Sequence, residues 1–330
     1  MECMNVQLSP NNARLTCYLQ DKSKAMPNTD VRPAALIFPG GGYQYCSDRE
    51  AEPVALAYMA EGFNAFVLRY TTGMDCPLDK SLQDAQAALA YLRQNAADLR
   101  IDPHKIAAIG FSAGGHLAAA LGTQSESKPD AMVLGYAVTL GATWAPMGRP
   151  DEPDLGSLVS DSTPPAFIFA TQGDSLVPVK NSLVFADALA DHDIPFCLHV
   201  FQTGEHGLSL ARPCTSNGDQ TKVNAEVAHW LPMSIQFLQD IWGALDVVLP
   251  RPELRAQMGG GKAGLDVPFK RLLKNPGACE VLQRRLPEVM GILQQNPLLK
   301  GASLRQLAGF MPEAYPEELI RSIDEELSNI

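Results

Sequence analysis

Residues 109–115 read Ile109-Gly110-Phe111-Ser112-Ala113-Gly114-Gly115, a Gly-x-Ser-x-Gly pattern. An apolar run from Lys105 to Ile109 leads into it, and small helix-compatible residues from His116 to Leu121 lead out. Strand, tight turn, helix is the setting in which a serine hydroxyl stands clear of a sheet. The flanking glycines let the helix and its neighbouring strands approach closely. The next backbone N–H, on Ala113, opens the helix and is expected to face the place where an oxyanion would form. The same letters also fit a glycine-rich strand–helix joint with an idle serine, so the surrounding chain has to decide.

Upstream, Ala34-Ala35-Leu36-Ile37-Phe38 is continuously apolar, as a buried central strand should be. It runs into Pro39-Gly40-Gly41-Gly42-Tyr43. A triple glycine directly after a core strand, ahead of a serine elbow, lies where a second oxyanion donor is needed, from Gly41 or Gly42. Segments around Val6 and from Arg14 to Leu19 read as short edge strands. A helix is expected near Arg49 to Glu61, stopped by Gly62. Asn64 to Tyr70 reads as the next buried strand. Pro77 to Asn95 reads as an amphipathic helix with Leu82, Ala85, Leu89 and Leu92 on one face.

Beyond the elbow, a strand is expected from Ala131 to Ala137, then an irregular stretch at 139–164. That stretch is too short for a helical lid, which predicts a site open to solvent. Pro165 to Ala170 reads as a strand ending in Thr171-Gln172-Gly173-Asp174, and Val179 to Ala190 as a helix. Phe196 to Phe201 reads as the last strand, followed by Thr203-Gly204-Glu205-His206-Gly207 and a long helix from Val223 to Trp242. Strands alternating with helices predict an α/β fold with a mostly parallel sheet covered on both faces.

A serine needs a base to take its proton. Of the six histidines, His104, His116, His192, His199 and His229 fall before, within or at the ends of predicted elements. Only His206 falls in a glycine-bracketed loop just past the carboxyl end of a strand, the edge where open parallel sheets gather catalytic groups. The base in turn needs a carboxylate to fix its tautomer. Asp174 ends the preceding strand at that edge. Asp151, Glu152, Asp154 and Asp161 sit in the irregular stretch, and Glu205 adjoins the histidine and should point away. The order Ser112, Asp174, His206 is that of an α/β-hydrolase triad.

The chain of 330 residues is 46% hydrophobic and 19% charged, an ordinary globular composition. A formal net charge of -11 disfavours nucleic acid and anionic membranes as partners. No apolar run is long enough to span a bilayer. The first residues show no basic stretch followed by an apolar one, which predicts a cytoplasmic protein. Seven cysteines lie far apart with no Cys-x-x-Cys pair, so buried thiols are expected and neither a disulfide framework nor a zinc site.

At this point the chain resembles the α/β-hydrolase superfamily, and within it the small bacterial acetyl esterases of the acetylxylan and feruloyl esterase-like branch. The resemblance rests on Phe38 to Tyr43, Arg49-Glu50 with Glu52-Pro53, Phe66 to Tyr70, Gly110 to Leu117, Gly173-Asp174 with Val177-Pro178, and Glu205-His206-Gly207. It covers about the first three-quarters of the chain. Pro39 departs from it, since many relatives carry a histidine before the glycines that braces the loop. The resemblance implies a serine esterase that removes short acyl groups, acetyl above all, from carbohydrate esters such as acetylated xylo-oligosaccharides. Ser112 would attack the ester, His206 would shuttle the proton, the N–H groups of Ala113 and of Gly41 or Gly42 would hold the oxyanion, and no metal or organic cofactor would be needed. Tyr43, Tyr45 and Trp144 have flat amphipathic rings suited to sugars and are the expected substrate contacts, with packing in the core the alternative for each. A general short-chain carboxylesterase and a prolyl-oligopeptidase-like peptidase are the competing enzyme readings. A scaffold that binds a partner through its tail is the competing non-enzyme reading.

The predicted catalytic domain spans 1–245. Residues 246–265, with Leu249-Pro250-Arg251-Pro252 and Gly259-Gly260-Gly261, read as a linker. Residues 266–330 read as a small helical domain. Phe269, Leu272, Leu273, Val281, Leu282, Leu286, Val289, Met290 and Leu293 recur at helical spacing, Ser303 is placed to cap a helix, and Pro316 to open another. Such a bundle is marginal as an isolated core, so a stabilising appendage or a homo-oligomer contact is expected.

Overall fold

Eight strands form one sheet in the order β1-β2-β4-β3-β5-β6-β7-β8. In this computed structural model, which describes residues 1–73, 76–147, 152–243 and 263–330, β1 (Glu2–Leu8) and β2 (Ala13–Leu19) form an antiparallel edge. The other six strands are parallel: β3 (Arg32–Phe38), β4 (Asn64–Arg69), β5 (Ile101–Phe111), β6 (Ala131–Gly135), β7 (Ala166–Thr171) and β8 (Phe196–Phe201). The α/β class and the mostly parallel sheet are those expected from the alternation of apolar runs, and the two segments read as edge strands do lie at the edge, where they pair antiparallel.

Period-two alternation sends neighbouring strand residues to opposite faces. Leu36, Ala108, Leu134 and Ile168 share a core with Ala85, Leu89, Leu117 and Phe185 from α2 (Leu78–Gln94), α3 (Ala113–Gln124) and α5 (Lys180–Asp191). On the other face, Phe111 and Phe169 meet Trp230, and Phe167 meets Phe237, both on α6 (Trp230–Trp242). The α1 helix (Glu52–Ala60) joins α6 there through a Tyr58 Oη–Ser234 Oγ hydrogen bond of 2.7 Å.

Two expectations about elements need correction. The last helix of this region starts at Trp230, not Val223, and turns precede it. The Asn224 Oδ1 accepts the N–H groups of Glu226 and Val227, closing a local turn that competes with helix. Pro232 then falls in the first turn of α6, where its missing N–H is tolerated. The stretch at 139–164 is not wholly irregular: it holds a short helix, α4 (Gly141–Trp144), and 3-10 turns. Asp151 lies outside the described residues.

The chain divides into two compact units, Met1–Val248 and Leu249–Ile330. Most of the expected linker lies outside the described residues. Leu265, at its end, is already buried in the second unit, and its N–H donates to Asp324. That unit is helical: α7 (Phe269–Leu272), α8 (Pro276–Arg285), α9 (Pro287–Gln295), α10 (Leu304–Phe310) and α11 (Glu317–Ser328). Its core contains Phe269, Leu272, Leu282, Leu286, Val289, Leu293, Leu304, Ile323 and Leu327. Ser303 forms a full capping box with Gln306, and Pro276 and Pro287 open their helices.

Candidate active site

The Ser112 backbone has φ 53° and ψ -118°, a strained geometry for a residue with a side chain. Packing imposes it. The Ser112 N–H donates to the Gly135 carbonyl at 3.0 Å, and its own carbonyl accepts from His116 N at 2.9 Å as α3 begins. The elbow is tight enough that a Cβ on Gly114 would lie 2.0 Å from the Phe38 carbonyl oxygen. Only glycine allows α3 to sit that close to the end of β3.

Three separate loops at the carboxyl edge of the sheet then converge. His206 Nε2 lies 2.8 Å from Ser112 Oγ, and His206 Nδ1 lies 2.7 Å from Asp174 Oδ2. Asp174 is buried, and its other oxygen accepts the N–H groups of Leu176 at 3.0 Å and Val177 at 2.8 Å. These donors orient the carboxylate toward the ring. Ser112 and His206 are half-buried and so within reach of solvent. Glu205, the competing neighbour, turns away and pairs with Lys222 at 3.4 Å. Lys222 also donates to the His206 carbonyl at 2.8 Å, and Arg49 donates to the Gly207 carbonyl at 2.8 Å, so the histidine loop is held from both sides.

Opposite them, Pro39 to Gly42 turns sharply with φ 127° at Gly41 and 63° at Gly42, values that favour glycine. The Gly40 N–H donates to Glu50 Oε2 at 2.8 Å. The N–H groups of Gly41, Gly42 and Ala113 have no acceptor among the described residues. The expected oxyanion donors thus have their N–H groups uncommitted. The Tyr70 hydroxyl donates to the Pro39 carbonyl at 2.6 Å. A serine, a base, an oriented carboxylate and uncommitted amides together can perform acyl transfer through a covalent intermediate.

The expected aromatic contacts divide. Tyr45 is 62% exposed, but Tyr43 and Trp144 are each 1% exposed. Those two are corrected from open sugar platforms to core residues. Their rings lie 5.5 Å apart and both pack on His116, and the Tyr43 hydroxyl is bonded to His116 Nδ1 at 2.9 Å. Tyr43 also helps to wall a cavity of ≈ 370 Å³ with Leu78, Leu82, Leu117 and Ala120. Among the described residues no cluster of acidic, histidine or cysteine side chains has metal-binding geometry, and no helix is long and apolar enough to cross a membrane.

Residues 22–139 match the BD-FAE family model. An endo-1,4-beta-xylanase B of Butyrivibrio fibrisolvens is 39% identical over 56% of this chain and 34% of its own length. An acetylxylan esterase of Xylanibacter ruminicola is 27% identical over 60% of the chain and 46% of its own length. The chain therefore spans between a third and a half of these curated relatives. Among solved structures, an α/β-hydrolase enzyme from a Medee basin deep-sea metagenome library is 42% identical, covering 75% of this chain and 99% of that one, with a TM-score of 0.67. An acetyl ester-xyloside bifunctional hydrolase from Caldicellulosiruptor lactoaceticus is 34% identical, covering 70% and 89%, with a TM-score of 0.59. With strand order, elbow and loop order all in agreement, the chain belongs to the α/β-hydrolase superfamily.

Sequence reasoning assigned no role to Tyr136 or Lys222, and noted Arg49 and Glu50 only as part of a motif. Their signal is spatial: Glu50 and Tyr136 are 86 residues apart in the chain yet hydrogen-bonded.

Proposed function

We propose that this chain removes acetyl groups from carbohydrate esters, acetylated xylo-oligosaccharides foremost, through an acyl-enzyme on Ser112. The observation that carries the reading is the continuous hydrogen-bonded line from Ser112 Oγ through His206 to Asp174. His206 Nε2 takes the serine proton as Oγ adds to the ester carbonyl. The N–H groups of Ala113 and of Gly41 or Gly42 receive the oxyanion. Collapse expels the sugar alcohol, which leaves with that proton. Water, deprotonated by the same nitrogen, then releases acetate. The sugar part of the reading draws on the relatives named for xylan and for acetyl-xyloside esters. It also draws on a half-buried serine that a bulky alcohol can reach. Tyr45, exposed beside Gly41, is the remaining aromatic we assign to that alcohol.

The test is a series of nitrophenyl esters run beside acetylated xylo-oligosaccharides. Acetyl esters should exceed butyryl, and butyryl should far exceed octanoyl, in kcat/KM. A single methylene is worth only about 1–3 kcal/mol in a pocket, so the drop should come from steric exclusion of the longer chain. Octanoyl turnover equal to acetyl, or acetylated sugars left intact, would replace this reading with a general carboxylesterase. The helical unit is proposed as a stabilising or dimerising appendage. Light scattering that gives a monomer for the full chain would remove the second role.

A further inference from the structure

Pro39, which leads into the glycine turn, has no side-chain group that could hydrogen-bond that loop. We propose that Glu50, tied to Tyr136, is the residue that positions the oxyanion loop for reaction at Ser112. The inference rests on the reading of Ser112, His206 and Asp174 as the catalytic line.

Glu50 is 3% exposed and, among the described residues, has no ion-pair partner. Burying a carboxylate without a cation is expensive, and packing alone would favour an apolar side chain there. Both of its oxygens are instead aimed at single donors. Oε2 accepts the Gly40 N–H at 2.8 Å, and Oε1 accepts the Tyr136 hydroxyl at 2.5 Å, a short charge-assisted bond. A Cβ on Gly40 would lie 2.7 Å from Glu50 Oε2, 2.8 Å from the Phe111 carbonyl and 3.1 Å from Ser112 Cβ. Gly40 therefore packs against both the Glu50 carboxylate and the Ser112 side chain. By fixing the Gly40 peptide the carboxylate sets the direction of the two peptides that follow, those of Gly41 and Gly42.

The other end of the pair reaches the base. The Tyr136 ring meets the His206 ring at 5.1 Å and 72°. Its oxygen accepts the Ser209 N–H at 2.9 Å, and the Ser209 hydroxyl donates to the Arg49 carbonyl at 2.5 Å. Tyr136 holds φ 35°, a strain retained only where surroundings enforce it. Burial and the adjacent Glu50 push the Tyr136 phenol well above its ordinary range, so it stays a donor. One carboxylate thus ties the oxyanion loop to the histidine loop.

Charge and position act in opposite directions here. A negative charge near an oxyanion opposes it, so neutralising Glu50 would speed the reaction if charge dominated. If position dominates, Glu50→Gln slows it, because an amide has one acceptor oxygen for two donors. The experiment uses the full chain with nitrophenyl acetate, and an alkylboronic acid whose tetrahedral Ser112 adduct places an oxygen in the oxyanion position. Removing an oxyanion donor outright costs about 10²–10³ in kcat, so misdirecting one should lower kcat about 10–100-fold. For Glu50→Gln, KM should stay within about threefold, and the boronic acid inhibition constant should rise with the fall in kcat. Tyr136→Phe should act in the same direction and less strongly. The double variant should be little worse than Glu50→Gln alone, because the two act as one unit. Unchanged or faster turnover in Glu50→Gln overturns the inference. So does a fall in kcat with boronic acid binding unchanged, which marks only a smaller folded fraction. If Glu50→Gln does not fold, Tyr136→Phe decides: kcat and inhibition moving together support the inference, and neither moving overturns it. Turnover retained in Ser112→Ala is a separate failure, of the nucleophile assignment, and removes this inference with it.

Discussion

Ser112, His206 and Asp174 each come from a different loop, and each is fixed by backbone groups as much as by one another. The strained Ser112 backbone and the two N–H groups on Asp174 leave little freedom in the line. On the proposed reading, Ser112→Ala should therefore lower kcat by at least about 10⁴-fold, since the members of such a triad act as a unit. Asp174→Asn should lower it by about 10⁴-fold with the fold intact, because the amide stabilises the wrong histidine tautomer. Steady-state kinetics with a parallel melting curve check both. Turnover within tenfold of the parent in a folded variant would remove the residue from its role.

At the scale of elements, the site depends on how closely α3 approaches β3. The helix begins Ala113-Gly114-Gly115 and is rich in small residues because it lies almost against the sheet. In Gly114→Ala the new methyl would meet the Phe38 carbonyl oxygen at 2.0 Å, an atom of rigid backbone. Either α3 moves, carrying Ser112 and the Ala113 N–H with it, or β3 moves, carrying the glycine loop. Melting temperature and kcat should fall together, with the loss of stability at the upper end of the usual 1–3 kcal/mol for overpacking. A variant as stable and active as its parent would show that this approach is looser than the structure has it.

Across the whole molecule, buried acids that prefer to stay neutral set the alkaline limit. Burial pushes the Cys17 thiol from 9.0 up to about 12 and Cys46 up to about 11. Burial likewise raises Tyr70 and Tyr136 well above 10.0. For each, the folded state holds its proton more tightly than the unfolded chain does. The stability this contributes is complete below about pH 9 and is lost as the pH rises through the folded values. The melting temperature should stay level to about pH 8.5 and then decline. Phenolate absorbance should show exposed tyrosines ionising first, with the buried ones appearing only as the protein unfolds. A single smooth titration near 10.0 in the folded state would contradict the burial of these groups.

The amino-acid sequence by itself determined the sheet alternation, the elbow around Ser112, the glycine turn after β3 and the loop order that brings Asp174 and His206 to one edge. These are local patterns: hydrophobic periodicity, turn chemistry and position relative to a strand end, and each is written within a few residues. Only the tertiary structure decided that Tyr43 and Trp144 are core residues, because an aromatic ring has the same letter whether it faces water or His116. It also decided where α6 begins, since Asn224 and Pro232 divide a stretch whose composition alone reads as one helix. The contact of Glu50 with Tyr136 belongs to the same class. It exists because the turn before α1 and the end of β6 meet at the carboxyl edge of a parallel sheet, and no periodicity in either segment encodes the other.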